Sequence, residues 1–396
     1  MKIFELSKDG AQKIAKGVRE LYPRDMGDSI KSSVPGEWVL LKNTRKNKLF
    51  LAFVNPLSIN NPVAHILHEV IDNSVSSDEE EFFRLLQASI LKRNYYNGYE
   101  DCARLVYGNA DNLPGLIVDS YINVIVIQIN TAGIDKFRIK IKEFFETNYP
   151  SKKIYLLDNE KYRERESLPI YEKERIDIDL KIIENNLNIE VQSKSIQKVG
   201  YYYDHRENRL RAKNLLKKIN KKFEKGLDLF SYVGSWGLHL LDAGVSNVDF
   251  VDQGEMDVSV KRNLEINNFS NRGNFIRENV FDFIKNAKTS NKKFDVICSD
   301  PPAFCKSKKE ERKAYEGYLK LHKNLMDIIE KDGVLIACSC TYYISSSQFQ
   351  KNIEEAAGAR GRKIHLLDLG VQGFDHPTTS LLTKNSYLKY FAYRVE

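Results

Sequence analysis

The stretch LDLFSYVGSWGLHLLDAG, residues 227 to 244, joins an apolar strand to a helix through a loop that contains glycine. The same alternation continues downstream through VDFVD, DVSVKRNLEINN, FDVICSD, YLKLHKNLMDIIEKDG and VLIACSC, and it closes with KIHLLDLGV and YLKYFAYRV. Alternating strands and helices predict a parallel sheet with helices on both faces. Such sheets bind their ligands at the carboxyl ends of the strands. We therefore expect an α/β, Rossmann-like domain over residues 189–396.

The residues before this domain predict two smaller domains. Residues 1–72 contain the β segments EWVLLK, KLFLAFV and PVAHIL, which the turn-rich NTRKN and NPLSINN separate, and this pattern is typical of a small β domain. Residues 73–188 combine a helix, opened by Ser77 and Glu80 at capping-box spacing, with three β-rich runs and a second helix. A chain of 396 residues exceeds one ordinary hydrophobic core, which agrees with several domains.

Composition excludes several classes of protein. The 61 Lys and Arg residues against 54 Asp and Glu give a net charge of +7, which fits a polyanionic partner without identifying it. The five cysteines form no CxxC pair, so we expect neither a disulfide framework nor a metal site. The apolar run NVIVIQIN is too short to cross a bilayer, and the first residues resemble no signal peptide. These features predict a cytoplasmic protein without a membrane partner.

Four acidic residues lie at or near the ends of the first four predicted strands of the α/β domain. Asp228 lies within the first, Asp252 ends the second, Asp282 follows the third and Asp300 ends the fourth. An acid that ends the second strand can accept hydrogen bonds from both ribose hydroxyls of a nucleoside cofactor. The loop YVGSWG lacks the GxGxxG pattern, and no GKS or GKT follows a strand. S-adenosylmethionine therefore fits the pattern better than NAD or ATP.

The fourth strand runs into the loop SDPPAFCKSK, residues 299–308. Pro301 and Pro302 fix the backbone and lack N–H groups, so they hold the Asp300 carboxylate at one angle. Rigid placement suits a group that contacts a flat base. We expect Asp300 to act as an acid on a cytosine, and Phe304 to shape the pocket around that base.

The fifth strand ends in Cys338, Ser339 and Cys340, and Cys340 is the cysteine nearer the ligand edge. A thiolate that adds to C6 of cytosine makes C5 nucleophilic enough to attack a methyl sulfonium. The alternative is a small buried residue at the end of a core strand, the usual fate of cysteine. We expect Cys340 to be the nucleophile and Cys305 to be its rival, while Cys298 and Cys338 belong to the core.

Five motifs in the order QKVGYYYDHRENR, LDLFSYVGSWGLHLLDAG, DPPAF, SCT and DHP resemble the bacterial 23S ribosomal RNA cytosine-C5 methyltransferase family, large-subunit methyltransferase I type. The resemblance covers nearly the whole chain. It implies an N-terminal PUA RNA-binding β-barrel over residues 1–72, a central α+β domain over 73–188 and a class I methyltransferase domain over 189–396. It also implies S-adenosylmethionine as cofactor and 23S ribosomal RNA as partner.

The resemblance places roles on individual residues. Cys340, within Ser339-Cys340-Thr341, takes the position of the nucleophile, and Asp300 that of the Asp-Pro-Pro acid. The residues implied to bind the methyl donor are Asp228, Phe230, Tyr232, Gly234, Asp252, Asp282 and Asp300, with QKVGYYYD supplying a wall. The chain departs from the family where GNAD replaces Gly-Glu-Ala-Asp and where KVGYYY replaces Lys-Thr-Gly-Phe-Phe.

Two other functions stay open at this point. Asp-Pro-Pro-aromatic loops also serve methylation of purine nitrogens, with an aromatic ring stacked on the base and no thiol required. Phe304 could supply that ring, although Ala303 stands at the position where such enzymes carry the aromatic residue. The third possibility is a non-catalytic RNA-binding assembly factor, which would not need Asp252, Asp282 and Asp300 together. A homodimer is one of the states that the sequence allows.

Overall fold

The chain divides into two compact units in the computed structural model, which describes residues 1–58, 61–71, 75, 77–172, 174–196, 200–378 and 386–396. The first unit comprises Met1–Asp177 and Phe374–Asn385, and the second comprises Ile178–Gly373 and Ser386–Glu396. The chain therefore passes from one unit to the other three times. The three-domain division expected from the sequence stays a prediction, and its first boundary falls beside residues 72–74, outside the described residues.

The first unit contains two sheets and five α-helices among its described residues. Its strands are β1 (Ile3–Glu5), β2 (Glu20–Leu21), β3 (Glu37–Asn43), β4 (Lys48–Val54), β5 (Ala64–Val70), β6 (Ala103–Tyr107), β7 (Leu116–Ser120), β8 (Val124–Ile129) and β9 (Lys153–Leu156). Its helices are α1 (Lys8–Ala15), α2 (Asp78–Asn94), α3 (Ala132–Asp135), α4 (Arg138–Asn148) and α5 (Glu160–Arg165).

The N-terminal sheet has the strand order β1-β3-β4-β5-β2 and is antiparallel except for the β1 and β3 pair. The central strand β4 is buried on both faces, because Ala52 and Val54 face one hydrophobic cluster while Leu51 and Phe53 face another. This explains why KLFLAFV is a continuous apolar run rather than an alternating one. The strands predicted in EWVLLK, KLFLAFV and PVAHIL are present as β3, β4 and β5.

The second sheet of this unit has the order β6-β7-β8-β9. The Ser77 hydroxyl accepts a hydrogen bond from the Glu80 N–H, and the Glu80 carboxylate accepts one from the Ser77 N–H, which is the predicted capping box of α2. The GNAD segment forms a 3-10 turn that connects the antiparallel strands β6 and β7, and Asn112 ends it in the left-handed conformation. The hairpin expected at this motif is therefore present.

The second unit contains nine strands and six α-helices among its described residues. Its strands are β10 (Leu180–Glu184), β11 (Leu187–Val191), β12 (Lys225–Leu229), β13 (Asn247–Asp252), β14 (Gly273–Arg277), β15 (Phe294–Ser299), β16 (Ile329–Ser339), β17 (Ile364–Gly370) and β18 (Lys389–Val395). Its helices are α6 (Arg206–Lys218), α7 (Ser235–Asp242), α8 (Asp257–Ile266), α9 (Val280–Thr289), α10 (Glu311–Ile328) and α11 (Ser346–Gly358).

Seven of these strands form one sheet in the order β14-β13-β12-β15-β16-β18-β17. The first five are parallel to one another, and β18 runs antiparallel to both β16 and β17. The α/β fold expected from the sequence is confirmed. The strand order reverses between β12 and β15, so the crevice beyond their carboxyl ends is where a ligand is expected.

None of the helices within the described residues combines the length and the apolar character that a membrane span requires.

Candidate active site

The loop between β12 and α7 has an unusual backbone. Phe230 and Tyr232 adopt positive φ angles of 62° and 47°, and Gly234 follows at 87°. A Cβ atom on Gly234 would come within 3.0 Å of the Phe250 ring, so both the angle and the space favour glycine. The loop therefore turns tightly at the switch point, directly before α7, which begins at Ser235.

Asp252 holds this loop from the end of β13. One oxygen of its carboxylate accepts a hydrogen bond from the Tyr232 N–H at 2.9 Å, and the other accepts one from the Gly254 N–H at 2.8 Å. A carboxylate has about four acceptor positions, so each oxygen keeps one position for a further donor. Asp252 is partly exposed. Its geometry is compatible with the ribose contacts expected of it.

Aromatic residues before α6 lie against the same loop. The Tyr232 hydroxyl donates to the backbone oxygen of Gly200 at 3.0 Å, and its ring meets the ring of Tyr202 at a centroid distance of 5.6 Å. The second half of the expected wall QKVGYYYD, which includes Gly200 and Tyr202, therefore contacts the loop between β12 and α7. Residues 197–199, which open that motif, lie outside the described residues.

Asp228 is fully buried in β12, and one of its oxygens accepts a hydrogen bond from the Gly237 N–H at 2.8 Å. Its other oxygen has no hydrogen-bond partner among the described residues. Burial raises the pKa of Asp228 to about 8, and the negative charges of Asp300 and Asp252 act in the same direction. Asp228 therefore carries a proton at neutral pH and has a free polar atom at the switch point.

Asp282 differs from the other three acids. It lies in the first turn of α9, it is exposed, and it has no hydrogen-bond or ion-pair partner among the described residues. An acid in this position interacts favourably with the helix N-terminus. The structure does not tie it to the network of the other acids, so its expected role in binding the methyl donor stays a prediction.

Asp300 follows β15 and its side chain is 23% exposed. One oxygen accepts a hydrogen bond from Trp236 Nε1 at 3.1 Å, and the other lies 3.4 Å from His205 Nε2. Burial raises the pKa of Asp300, but His205, Trp236 and Arg209 lower it by more, so the pKa lies below its usual value. Asp300 is therefore ionised at neutral pH when nothing else fills the pocket.

Sequence reasoning gave no role to His205 and Trp236, although both lie inside motifs that it singled out. His205 is part of DHRENR and Trp236 is part of GSWG. The sequence did offer a signal for their role. Both residues carry an N–H group that can donate a hydrogen bond, and both lie in segments expected to surround the strand-end acid Asp300. The two side chains also contact each other, with ring centroids 5.3 Å apart.

The loop after Asp300 meets the end of β16. Pro301 is buried, Pro302 is exposed, and the Pro301 carbonyl oxygen lies 4.0 Å from the Cys340 sulfur. Cys340 is partly exposed, whereas Cys102, Cys298, Cys305 and Cys338 are buried. The structure thus brings the expected acid loop and the expected nucleophile together at the carboxyl ends of two adjacent strands.

A buried hydroxyl network fixes the segment around Cys340. Tyr318 of α10 places its hydroxyl 3.0 Å from Ser339 Oγ and 2.7 Å from Thr341 Oγ1. The Phe304 N–H donates to Thr341 Oγ1 at 3.1 Å, and the Phe304 ring stacks on Tyr318 with centroids 4.3 Å apart. The residues on either side of Cys340 are therefore held in place, and Phe304 is held by the same network.

The other thiols near the site are poor nucleophiles. Burial raises the pKa of Cys305, and it raises the pKa of Cys338 to about 11. His205, Asp300 and Cys338 each place one ligand-type atom within 4.8 Å of the others.

The basic helix α6 is largely occupied by internal contacts. The Arg209 guanidinium is buried and donates two hydrogen bonds to the Glu184 carboxylate, at 2.5 and 3.0 Å. Arg206 lies 3.7 Å from the same carboxylate, and Lys213 pairs with Asp242. These three cations therefore stabilise the fold of the second unit and are not available to a polyanion.

Comparison with known proteins places this chain in a family. No family profile matches the chain. A ribosomal RNA large subunit methyltransferase I from Serratia proteamaculans is 31% identical over 335 residues, which cover 80% of this chain and 82% of that protein. Its counterpart from Escherichia coli strain K12 is 31% identical over 332 residues, covering 82% of this chain and 83% of that protein.

Solved structures show the same fold. A SAM-dependent methyltransferase from Streptococcus mutans has a TM-score of 0.76 at 22% identity, and a methyltransferase in complex with SAH has a TM-score of 0.78 at 22% identity; both matches cover 100% of each chain. The expected methyltransferase fold and the family resemblance are thereby confirmed. The chain belongs to the ribosomal RNA large subunit methyltransferase I family.

Proposed function

We propose that the protein transfers a methyl group from S-adenosylmethionine to C5 of a cytidine in 23S ribosomal RNA, in the cytoplasm, through a covalent adduct of Cys340. The observation that carries this proposal is the partly exposed Cys340 sulfur, 4.0 Å from the Asp-Pro-Pro loop. Methylation of a purine nitrogen requires no thiol at this place. The names of the curated relatives support ribosomal RNA of the large subunit as the substrate.

The residues around the switch point suit the methyl donor. Asp252 keeps free acceptor positions for the two ribose hydroxyls, and the loop of Phe230, Tyr232 and Gly234 brings its backbone close to the ligand. Asp228 supports the fit, because its unpaired oxygen is a buried polar atom that lacks a partner. When bound, S-adenosylmethionine supplies an electrophilic methyl group on a sulfonium.

Cys340 and Asp300 carry the chemistry on the base. The Cys340 thiolate adds to C6, negative charge moves onto the ring toward N3, and C5 gains the electron density to attack the methyl group. Asp300 is ionised in the free protein, so it first accepts a hydrogen bond from the exocyclic amine of the base. Filling the pocket removes water from Asp300 and raises its pKa, which allows it to take up a proton from solvent and deliver it to N3. Once C5 carries the methyl group, a base removes the C5 proton and the Cys340–C6 bond breaks, with the thiolate as leaving group. N3 then returns its proton to Asp300, which leaves neutral 5-methylcytosine.

The remaining residues of the expected site hold the pocket, and other parts of the chain hold the RNA. Pro301 and Pro302 keep the Asp300 loop rigid, and Phe304 borders the base from its position on Tyr318. We assign RNA binding to a PUA-like domain over residues 1–72 and catalysis to a methyltransferase domain over residues 189–396. A central α+β domain over residues 73–188 lies between them in the sequence. The target base leaves the RNA stack to reach Cys340, as bases do in enzymes of this kind.

The test is nucleoside mass spectrometry of 23S ribosomal RNA from a deletion strain complemented with wild type, Cys340→Ala or Cys305→Ala protein. We expect the deletion strain to lack one 5-methylcytidine, which wild type and Cys305→Ala restore and Cys340→Ala does not. Cys305 is the matched control, because it is a buried cysteine at the neighbouring loop. A missing methylpurine that all three proteins restore would replace this proposal with nitrogen methylation.

A further inference from the structure

Lys389, the first residue of β18, is buried beside the catalytic segment. Lys389 lies opposite Ser339 in the antiparallel pairing of β16 and β18. Its side-chain amine donates a hydrogen bond to the Thr341 backbone oxygen at 2.6 Å, and the residue is only 4% exposed. Since Thr341 directly follows Cys340, the Lys389 amine is fixed at the segment that carries the expected nucleophile.

The surroundings of Lys389 supply little compensation for this charge. Within the described residues no carboxylate lies within ion-pair distance of its amine, and the Thr341 oxygen is its one hydrogen-bond acceptor. A buried ammonium has three N–H donors and is costly to remove from water unless an anion is near. Burial accordingly lowers the pKa of Lys389 to about 8, while Cys340 and Cys305 act to raise it.

Among the described residues, the ionisable groups near Cys340 include members of four elements. Asp300 belongs to the loop that Cys340 contacts, and its negative charge disfavours a second anion. Tyr202, before α6, and Tyr318, in α10, both have pKa values raised by burial, to about 12 for Tyr202 and further for Tyr318, so they are neutral. Lys389 in β18 is a cation whose amine is hydrogen-bonded to the residue after Cys340, and the charge of Cys340 acts to raise the Lys389 pKa.

We propose that Lys389 is the counter-ion that holds Cys340 as a thiolate before substrate binds, the proton passing to bulk water. The inference rests on the proposed function for the use of that thiolate, but the ion pair itself is a property of the protein alone. An opposite charge within a few ångströms favours the ionised form of a thiol. Lys389 is thus a positioning residue that acts through Cys340. Cys305 is the competing partner, but it is buried and shielded.

The test measures thiolate formation directly, without RNA or cofactor. The full-length protein is treated with iodoacetamide at a series of pH values, and alkylation of the Cys340 peptide is followed by mass spectrometry. All proteins carry Cys305→Ala. The protein with this background alone, called wild type below, is compared with Lys389→Met and Lys351→Met. Methionine fills the space of the lysine stem without its charge. Lys351 is an exposed lysine of α11 in the same unit and serves as the control.

We expect wild type and Lys351→Met to react with a midpoint below the value of about 8.5 for a free cysteine. Lys389→Met should react about tenfold more slowly at pH 7, with its midpoint at least about one pH unit higher. The difference should vanish well above pH 8, because Lys389 then loses its own proton. Lys389→Arg, which keeps the charge, should retain part of the low-pH reactivity.

Two results would overturn the inference. One is a wild-type midpoint at or above that of free cysteine, which decides the question even if Lys389→Met does not fold. The other is an unchanged alkylation profile in a folded Lys389→Met protein. A third outcome separates the two proposals. If alkylation shows the expected low midpoint in wild type, but Cys340→Ala protein still restores 5-methylcytidine, the proposed function is rejected while the Lys389–Cys340 ion pair stands.

Discussion

The carboxyl group of Asp228 shows how a single residue can oppose the stability of the fold that surrounds it. Its pKa is raised from its ordinary value to about 8 by burial, so folded protein binds a proton at pH values where unfolded protein does not. The free energy of unfolding therefore falls as pH rises from about 4 to about 8, because the folded state then carries the extra proton. A cofactor that donates a hydrogen bond to Asp228 would reduce this penalty.

Asp228→Asn tests this linkage. The amide is uncharged throughout, so its oxygen can accept from Gly237 without the cost of ionisation. We expect the wild-type free energy of unfolding to fall relative to Asp228→Asn by on the order of 1 kcal/mol per pH unit between pH 5 and pH 8. Urea denaturation followed by Trp236 fluorescence in a Trp38→Phe background isolates the second unit. Parallel pH profiles for the two proteins would contradict the assignment.

Among the elements, α10 and β16 cooperate to shape the catalytic segment. Tyr318 of α10 reaches two hydroxyls, one in the last residue of β16 and one just beyond it. Neither contact follows from local sequence, because Tyr318 and Thr341 are separated by the rest of α10 and all of β16. The position of Cys340 therefore depends on how a helix packs on the sheet.

Tyr318→Phe removes one buried hydroxyl and leaves those of Ser339 and Thr341 short of a partner. We expect a loss of about 1–3 kcal/mol in the free energy of unfolding and a larger fractional loss of methyl transfer, since the segment around Cys340 loosens. The matched control is Tyr315→Phe, one turn earlier on the same helix, whose hydroxyl donates to Glu355 at an exposed site. Equal effects of the two substitutions would show that Tyr318 has no special role.

The elements themselves were predictable, while the contacts that tune the site were not. Period and turn residues predicted β12, β13, β15, β16, β17 and β18, which contain apolar runs bounded by glycine, proline or charged residues. The strand β14 was implied only by the placing of Asp282 after a third strand, because GNFIR is short and partly exposed. Asp300 and Cys340 were predictable from their positions at strand ends. The low pKa of Asp300 was not, because it comes from His205 and Trp236 in two other segments. Lys389 was missed because it looks like an ordinary charged residue at the start of a strand.

For the whole molecule, the segment of residues 374–385 shows that chain order and structural unit do not coincide. Asp375 lies between two strands of the second unit in sequence, yet its carboxylate accepts a hydrogen bond from the Arg104 N–H of β6 at 3.0 Å within the first unit. It also lies 2.9 Å from His376 Nδ1. These contacts favour a structural role for the DHP motif over a role in proton transfer.

Asp375→Ala should therefore destabilise the first unit. The Arg104 N–H loses its acceptor, and we expect a cost of about 1–3 kcal/mol. Hydrogen exchange read residue by residue should show faster exchange in β6 and unchanged exchange in β12 and β15. Glu172→Ala, at an exposed site of the same unit, is the control and should leave both regions unchanged. Faster exchange confined to the second unit would contradict the assignment of Asp375.

The chain crosses between its two units three times, and this limits how recombination can exchange the parts of its gene. A single genetic crossover near residue 177 would give one descendant the Arg104 amide and another the Asp375 carboxylate that pairs with it. Exchange of the first unit for a foreign module would also have to replace a dozen residues inside the gene segment for the catalytic sheet. We therefore expect homologous proteins to contain both units together, and we do not expect either unit to occur as a separately recombined domain.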